Sequence, residues 1–127
     1  MHPEELRYTK EHEWVRVEDG RLARVGVTHY AQHQLGDVVY VDLPGQGDRV
    51  QAGKSFAVVE SVKSVSDIYA PVSGTIVEVN EALESQPELI NEDPYGKGWI
   101  ALIEVDDPAE LDATLSASEY KELIGEA

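Results

Sequence analysis

The chain has no cysteine, four histidines, and 25 Asp plus Glu against 10 Lys plus Arg. Without cysteine there is no thiolate nucleophile, no disulfide framework and no thiolate metal site. His29 and His33 stand at i and i+4, a spacing able to hold a metal, but no sequence-adjacent third ligand faces the same way, and His2 and His12 add none. No nucleophile sits beside any histidine and the acids are spread over solvated runs, so the residues do not compose an independent enzyme. Gly45-x-Gly47 is not followed by a helix start with Lys-Ser or Lys-Thr, so these glycines read as turn conformers rather than a phosphate loop. One residue stands apart. Lys63 lies at the bend between Phe56–Val59 and Val65–Tyr69, two β-favouring runs closed by Pro71. A lysine on a loop is by default solvated, yet the central pair Val62-Lys63 is not the Asn-Gly or Asp-Gly that a tight hairpin prefers.

The elements that would position Lys63 can be read along the chain. Glu13–Val17 and Leu22–Val25 form a hairpin, because Asp19-Gly20 between them tolerates positive φ twice. Thr28 caps a short helix over residues 28–35 that places Tyr30, Ala31 and Leu35 on one face and stops at Gly36. Beyond it the chain repeats: Gly36–Val41 resembles Gly74–Val79, an offset of 38, and Phe56–Glu60 resembles Ile100–Glu104, an offset of 44. This predicts a mainly β, pseudo-twofold β-sandwich, with Lys63 on a turn connecting the halves. Residues 80–84 form one helical turn, the prolines and glycines from Pro87 to Gly98 keep the next stretch irregular, and Trp99 starts the last strand. Asp107-Pro108-Ala109-Glu110 and Ser116-Ala117-Ser118-Glu119 are capping-box starts of short carboxy-terminal helices. The second carries the stripe Tyr120, Leu123, Ile124, read as core packing, with partner docking as the alternative.

A chain of 127 residues with 42% hydrophobic content is the length of one domain, 1–127, able to bury a core unaided. The formal charge of −15 argues against nucleic acid and anionic membrane as partners, and favours steering towards basic rims on other proteins. The start of the chain lacks signal- or transit-peptide character and no run reaches a membrane span. A soluble, prokaryotic cytoplasmic protein is the expectation, with a processed organellar protein as the alternative.

Glu60-Ser61-Val62-Lys63-Ser64, followed by Ser66-Asp67 and Pro71-Val72-Ser73-Gly74, resembles the lipoyl attachment hairpin of the glycine cleavage system H-protein family. His12-Glu13-Trp14, Gly26-Val27-Thr28, Ala31-Gln32, Leu35-Gly36-Asp37, Leu89-Ile90-Asn91, Pro94-Tyr95 and Gly98-Trp99 are similar in order and spacing, so the likeness covers nearly the whole chain. It implies the lipoyl or barrel-sandwich hybrid fold and lipoate in amide linkage on Lys63, with hairpin residues 56–71 as the carrier element. Glu60, Ser61, Val62, Ser64 and Asp67 would be read by the lipoylating enzyme. The partners it implies are the pyridoxal-phosphate P protein, which decarboxylates glycine, the folate-dependent T protein, which takes the one-carbon unit, and the flavin-dependent L protein, which reoxidises the dithiol. The carrier would be a non-enzymatic monomer. The resemblance also implies that the loaded arm folds into a cleft, with Glu13 and Asp67 holding its amine and Ala31 and Leu35 covering it. Biotin carriers place their lysine between methionines, and 2-oxoacid dehydrogenase lipoyl domains use Asp-Lys and lack the flanking hairpin and helices. A lipoyl-relay protein, or an interaction module never modified at Lys63, are the rival readings.

Overall fold

The computed structural model describes residues 3–125. In the first hairpin, β2 (Glu13–Glu18) runs antiparallel to β3 (Leu22–Val27) with Glu18 opposite Leu22. In the three-residue loop 19–21 between them, Asp19 and Gly20 both take positive φ, 43° and 70°, a conformation that aspartate and glycine tolerate. The hairpin joins β1 (Arg7–Tyr8), β9 (Ala101–Val105), β8 (Gly74–Val79) and β5 (Arg49–Val50) in a six-stranded sheet ordered β1-β2-β3-β9-β8-β5. A three-stranded sheet is built from β4 (Val38–Asp42), β6 (Ser55–Ser61) and β7 (Val65–Tyr69), with β6 in the centre. The core draws on both sheets, with Val25, Ile76 and Ile103 from one and Val41, Val59 and Ile68 from the other. The turn carrying Lys63 lies inside the smaller sheet, between β6 and β7, and does not connect the sandwich halves as expected. The chain instead changes sheet between β3 and β4, on either side of β5 and again between β7 and β8.

The internal repeat is present in the pairing. β4 pairs with β6 and β8 with β9, and each pair carries an irregularity at the same place, between Val38 and Tyr40 and between Ile76 and Glu78. These positions keep the offset of 38. The partner strands do not keep 44: Tyr40 faces Glu60 while Glu78 faces Leu102, an offset of 42. A slip of two residues keeps every side chain on its own face, so the apolar pattern alone could not distinguish the two registers.

Helix α1 (His29–Leu35) is capped by Thr28, whose hydroxyl accepts from the Ala31 N–H, and ends at Gly36 with φ 77° and ψ −158°, a conformation open only to glycine. α2 (Ala82–Ser85) follows the expected turn. A second short helix, α3 (Leu89–Glu92), occupies the stretch expected to be irregular, because Ile90 is fully buried and anchors it to the core. The strand expected from Trp99 begins at Ala101 instead, with the Ile100 N–H already bonded to Val25 O of β3. After Asp107 the chain makes a 3-10 turn, Pro108–Ala113, with no capping box: Glu110 accepts from the Ser73 N–H instead. The box at Ser116 and Glu119 does form and starts α4 (Ala117–Leu123). Tyr120 of α4 is buried and stacks on Tyr8 with centroids 4.8 Å apart, in a second cluster with Leu6 and Trp14. Leu123 is 48% exposed, so the expected apolar stripe is only partly core.

Candidate functional site

The tip of the β6–β7 hairpin is Ser61-Val62-Lys63-Ser64. The Ser61 N–H donates to Ser64 O at 2.8 Å, closing the turn. Ser61 Oγ accepts from the N–H groups of Lys63 and Ser64 at 3.2 and 3.1 Å, and Asp37 O takes the Val62 N–H at 3.0 Å. Every tip N–H therefore has a partner, so the backbone needs neither glycine nor positive φ there. This answers the missing Asn-Gly: Ser61 supplies from its side chain what a primed turn supplies by conformation. Val62, Lys63 and Ser64 are all exposed, and Val62 and Val65, on either side of the lysine, are each 67% exposed. Glu60 is half-buried, facing Tyr40 on one side and Val65 on the other.

The Lys63 side chain lies along the end of α1. A Cβ at Gly36 would fall 3.0 Å from Lys63 Cε, so Gly36 serves twice, as the helix stop and as the bed of the lysine stem. Asn91 of α3 holds this corner: its amide donates to Gly36 O at 2.8 Å and to Gln32 Oε1 at 3.1 Å, and its Oδ1 accepts from the Val38 N–H at 2.9 Å. The sequence placed Asn91 in a motif without this role, because the bonds span more than fifty residues and have no local signature.

From that corner a groove of about 380 Å³ runs between α1 and β7, lined by Tyr30, Ala31, Leu35, Ser64 and Asp67, with Glu11 and His12 completing its wall. Ala31, Leu35 and Asp67 thus line one groove. Asp67 Oδ1 also accepts from the Ser55 hydroxyl at 2.9 Å.

Glu13 does not line this groove. It is 1% exposed and points into the seam between the sheets, accepting from the Thr9 hydroxyl at 2.6 Å and the Tyr69 N–H at 3.1 Å, beside a separate cavity of about 220 Å³. The reason is positional: Tyr69 ends β7, its N–H has no ladder partner at the sheet edge, and the carboxylate supplies one. Burial pushes the Glu13 carboxyl up to about 7, with the bonds from Thr9 and Tyr69 pulling the other way. Glu11 and His12, which do line the groove, were not among the expected arm-contacting residues. The signal at His12 is its positive φ of 71°, which no sequence pattern announces.

His29 Nδ1 lies 3.2 Å from Gln32 Nε2, and no group of three His, Asp or Glu residues that could hold a metal occurs among the described residues.

A two-sheet sandwich that presents one lysine from a rigid hairpin, with its stem laid towards a groove, belongs to the class of swinging-arm carrier domains. The chain is a carrier and not an enzyme. Among such carriers it belongs to the glycine cleavage H-protein family, whose model matches residues 6–127. It is 54% identical over 124 residues to the glycine cleavage system H protein of Carboxydothermus hydrogenoformans, covering 98% of this chain and 95% of that one. It is 55% identical over 124 residues to that of Staphylococcus carnosus, covering 98% of both chains. The crystal structure of a glycine cleavage system H protein from Mycobacterium marinum superposes with a TM-score of 0.85 at 43% identity, covering 97% of this chain and 98% of that one.

Proposed function

We propose that this chain carries lipoate in amide linkage on Lys63 and shuttles the aminomethyl group of glycine from P protein to T protein and electrons to L protein. The observation that supports this best is the placement of Lys63: exposed on a turn tied down by Ser61 and Asp37, with its stem bedded on Gly36, the chain neighbours Ser64 and Leu35 lining the groove. When bound, lipoate supplies a disulfide that accepts and releases the one-carbon amine, chemistry a cysteine-free chain cannot supply. The protein's share is positioning. Paired tip N–H groups fix where the tether starts, so the arm sweeps a defined volume and meets each partner at high effective concentration. Ala31 and Leu35 offer an apolar wall on which a hydrocarbon arm can rest, and Asp67 an acceptor for a cationic end. Glu60, Ser61, Val62 and Ser64 present the lysine to the lipoylating enzyme. The carrier works as a monomer in the bacterial cytoplasm; no helix among the described residues is long and apolar enough to cross a membrane.

Protein co-expressed with lipoylating enzymes and lipoate should gain one lipoyl group, mapped by peptide mass to Lys63. Unmodified Lys63 under those conditions would sink the reading. Reconstitution with P, T and L proteins should then give glycine decarboxylation, whereas transfer of the group to other acceptors without that activity would make the chain a lipoyl relay.

A further inference from the structure

Beyond the strand ladder, the Lys63 tip meets the segment 36–38 at two points. Gly36 is the bed of the stem: a Cβ there would fall 3.0 Å from Lys63 Cε and 3.9 Å from Cδ and Cγ. Asp37 O accepts from the Val62 N–H at 3.0 Å. Whatever fixes residues 36–38 therefore also fixes where the tether starts.

That segment is held from α3. Asn91 Nδ2 donates to Gly36 O at 2.8 Å and Asn91 Oδ1 accepts from the Val38 N–H at 2.9 Å, so one side-chain amide spans the two residues that flank Asp37. Nδ2 also donates to Oε1 of Gln32, a buried residue of α1, at 3.1 Å. A carbonyl oxygen can only accept and a backbone N–H can only donate, so these partners set which way the Asn91 amide faces. The helix that carries it is itself pinned. Ile90 is fully buried in the core, and Gly98 lies so close that a Cβ there would fall 2.6 Å from Leu89 O and 2.9 Å from Ile90 Cα.

We propose that Asn91 is a positioning residue for the arm: it clips Gly36 and Val38 to core-anchored α3 and so sets where Lys63 starts and how its stem lies. The clip rests on the bonds above, and its bearing on the arm rests on the reading of Lys63 as the lipoyl site. A partner enzyme then meets an acceptor lysine already in place. Without the clip the tip samples other placements, and its apparent affinity for a partner falls by the fraction that remains competent. The amine itself is unchanged, so the rate of reaction once bound is unchanged. A carboxylate at position 91 would set an acceptor against Gly36 O, whereas a protonated carboxyl restores a donor there and keeps an acceptor for the Val38 N–H. Those facing oxygens, with Asp37 between the clipped groups and Glu92 next in the chain, raise the titration of a carboxyl placed there.

Proton NMR of the unmodified protein tests the clip without any lipoate. The parent should show a nuclear Overhauser contact between Gly36 Hα and the Lys63 ε-methylene group at pH 7 and at lower pH. In Asn91→Asp the contact should be lost at pH 7 and regained as pH is lowered through the titration of the introduced carboxyl, followed by its own carbon-13 shift. Asn91→Ala adds no charge, should lose the contact at every pH, and decides the matter if the carboxylate prevents folding. A contact that persists in the variants at pH 7, or that protonation of the introduced carboxyl does not restore, would overturn the clip. Lipoylation kinetics test its bearing on the arm. If about one tip in five remains competent in Asn91→Ala, KM for the carrier should rise about fivefold at unchanged kcat. Parental values of both constants, or a lower kcat at equal KM, would overturn the positioning role. A parent protein that is never lipoylated would sink the functional reading and leave the nuclear Overhauser result standing.

Discussion

At the scale of single residues, Lys63 and Glu13 show how differently one chain can use an ionisable group. Lys63 is exposed, with all its fixed contacts made by backbone and stem, so Lys63→Arg should change stability by no more than about 0.5 kcal/mol while abolishing lipoylation. Thermal unfolding and intact mass check the two halves, and loss of cooperative unfolding would expose a structural role for the amine. Glu13 is the opposite case, a carboxyl in the seam whose folded value of about 7 lies above its ordinary 4.5. Between these two values the folded state binds more protons than the unfolded, so stability falls as pH rises through that window. The full effect is on the order of 3 kcal/mol at about 1.4 kcal/mol per unit. Glu13→Gln keeps an acceptor for the Tyr69 N–H and should remove that slope. Urea unfolding at pH 5 and pH 8 measures it, and an unchanged slope in the variant would assign the pH dependence to other groups. Little of this was legible in the sequence. Glu13 reads as a strand-end acid, and its burial is decided by how β2 meets the end of β7, across 56 residues.

At the scale of elements, local chemistry was legible and non-local fit was not. Asp19-Gly20, Thr28, Gly36 and the Ser116–Glu119 box each act through neighbours in sequence, and each forms as its residue types dictate. Glu110, Leu123 and α3 departed from expectation because distant partners outcompeted the local signal: the Ser73 N–H, solvent and the core position of Ile90. Ser116→Ala should cost about 1 kcal/mol through the lost cap, a loss that chemical denaturation resolves. The β2–β3 pair makes a stricter demand. Gly26 faces Trp14 across the ladder, and a Cβ there would lie 2.7 Å from the indole, which is itself fixed by donation to Pro94 O at 2.8 Å. Gly26→Ala should therefore destabilise by about 1–3 kcal/mol, seen as a lower denaturation midpoint at unchanged slope. A midpoint equal to that of the parent would mean that the indole moves aside at no cost.

For the molecule as a whole, the distribution of charge matters more than its sum. All five arginines are engaged by their own chain: Arg7 with Thr114, Arg16 with Tyr95 O, Arg21 with Val105 O, Arg24 with Glu18 and Arg49 with Asp106. Amidation of Lys63 would take one of the ten positive charges away, moving the formal charge from −15 to about −16. The tip and the strands beside it present Val62, Val65, Val39 and Tyr40, each at least half exposed, inside this acidic field. Such a surface suits partners whose active-site mouths are apolar with basic rims, the field setting the rate of encounter and the apolar tip the lifetime of contact. The screening length shortens from about 30 Å at 0.01 M salt to about 3 Å at 1 M. Association with L protein, followed by stopped-flow on its flavin, should therefore slow by about tenfold or more across that range. Dissociation should change little with salt and speed up in Val62→Ser with Val65→Ser. An association rate indifferent to salt would show that the acidic surface serves solubility alone and that the apolar tip by itself finds the partner.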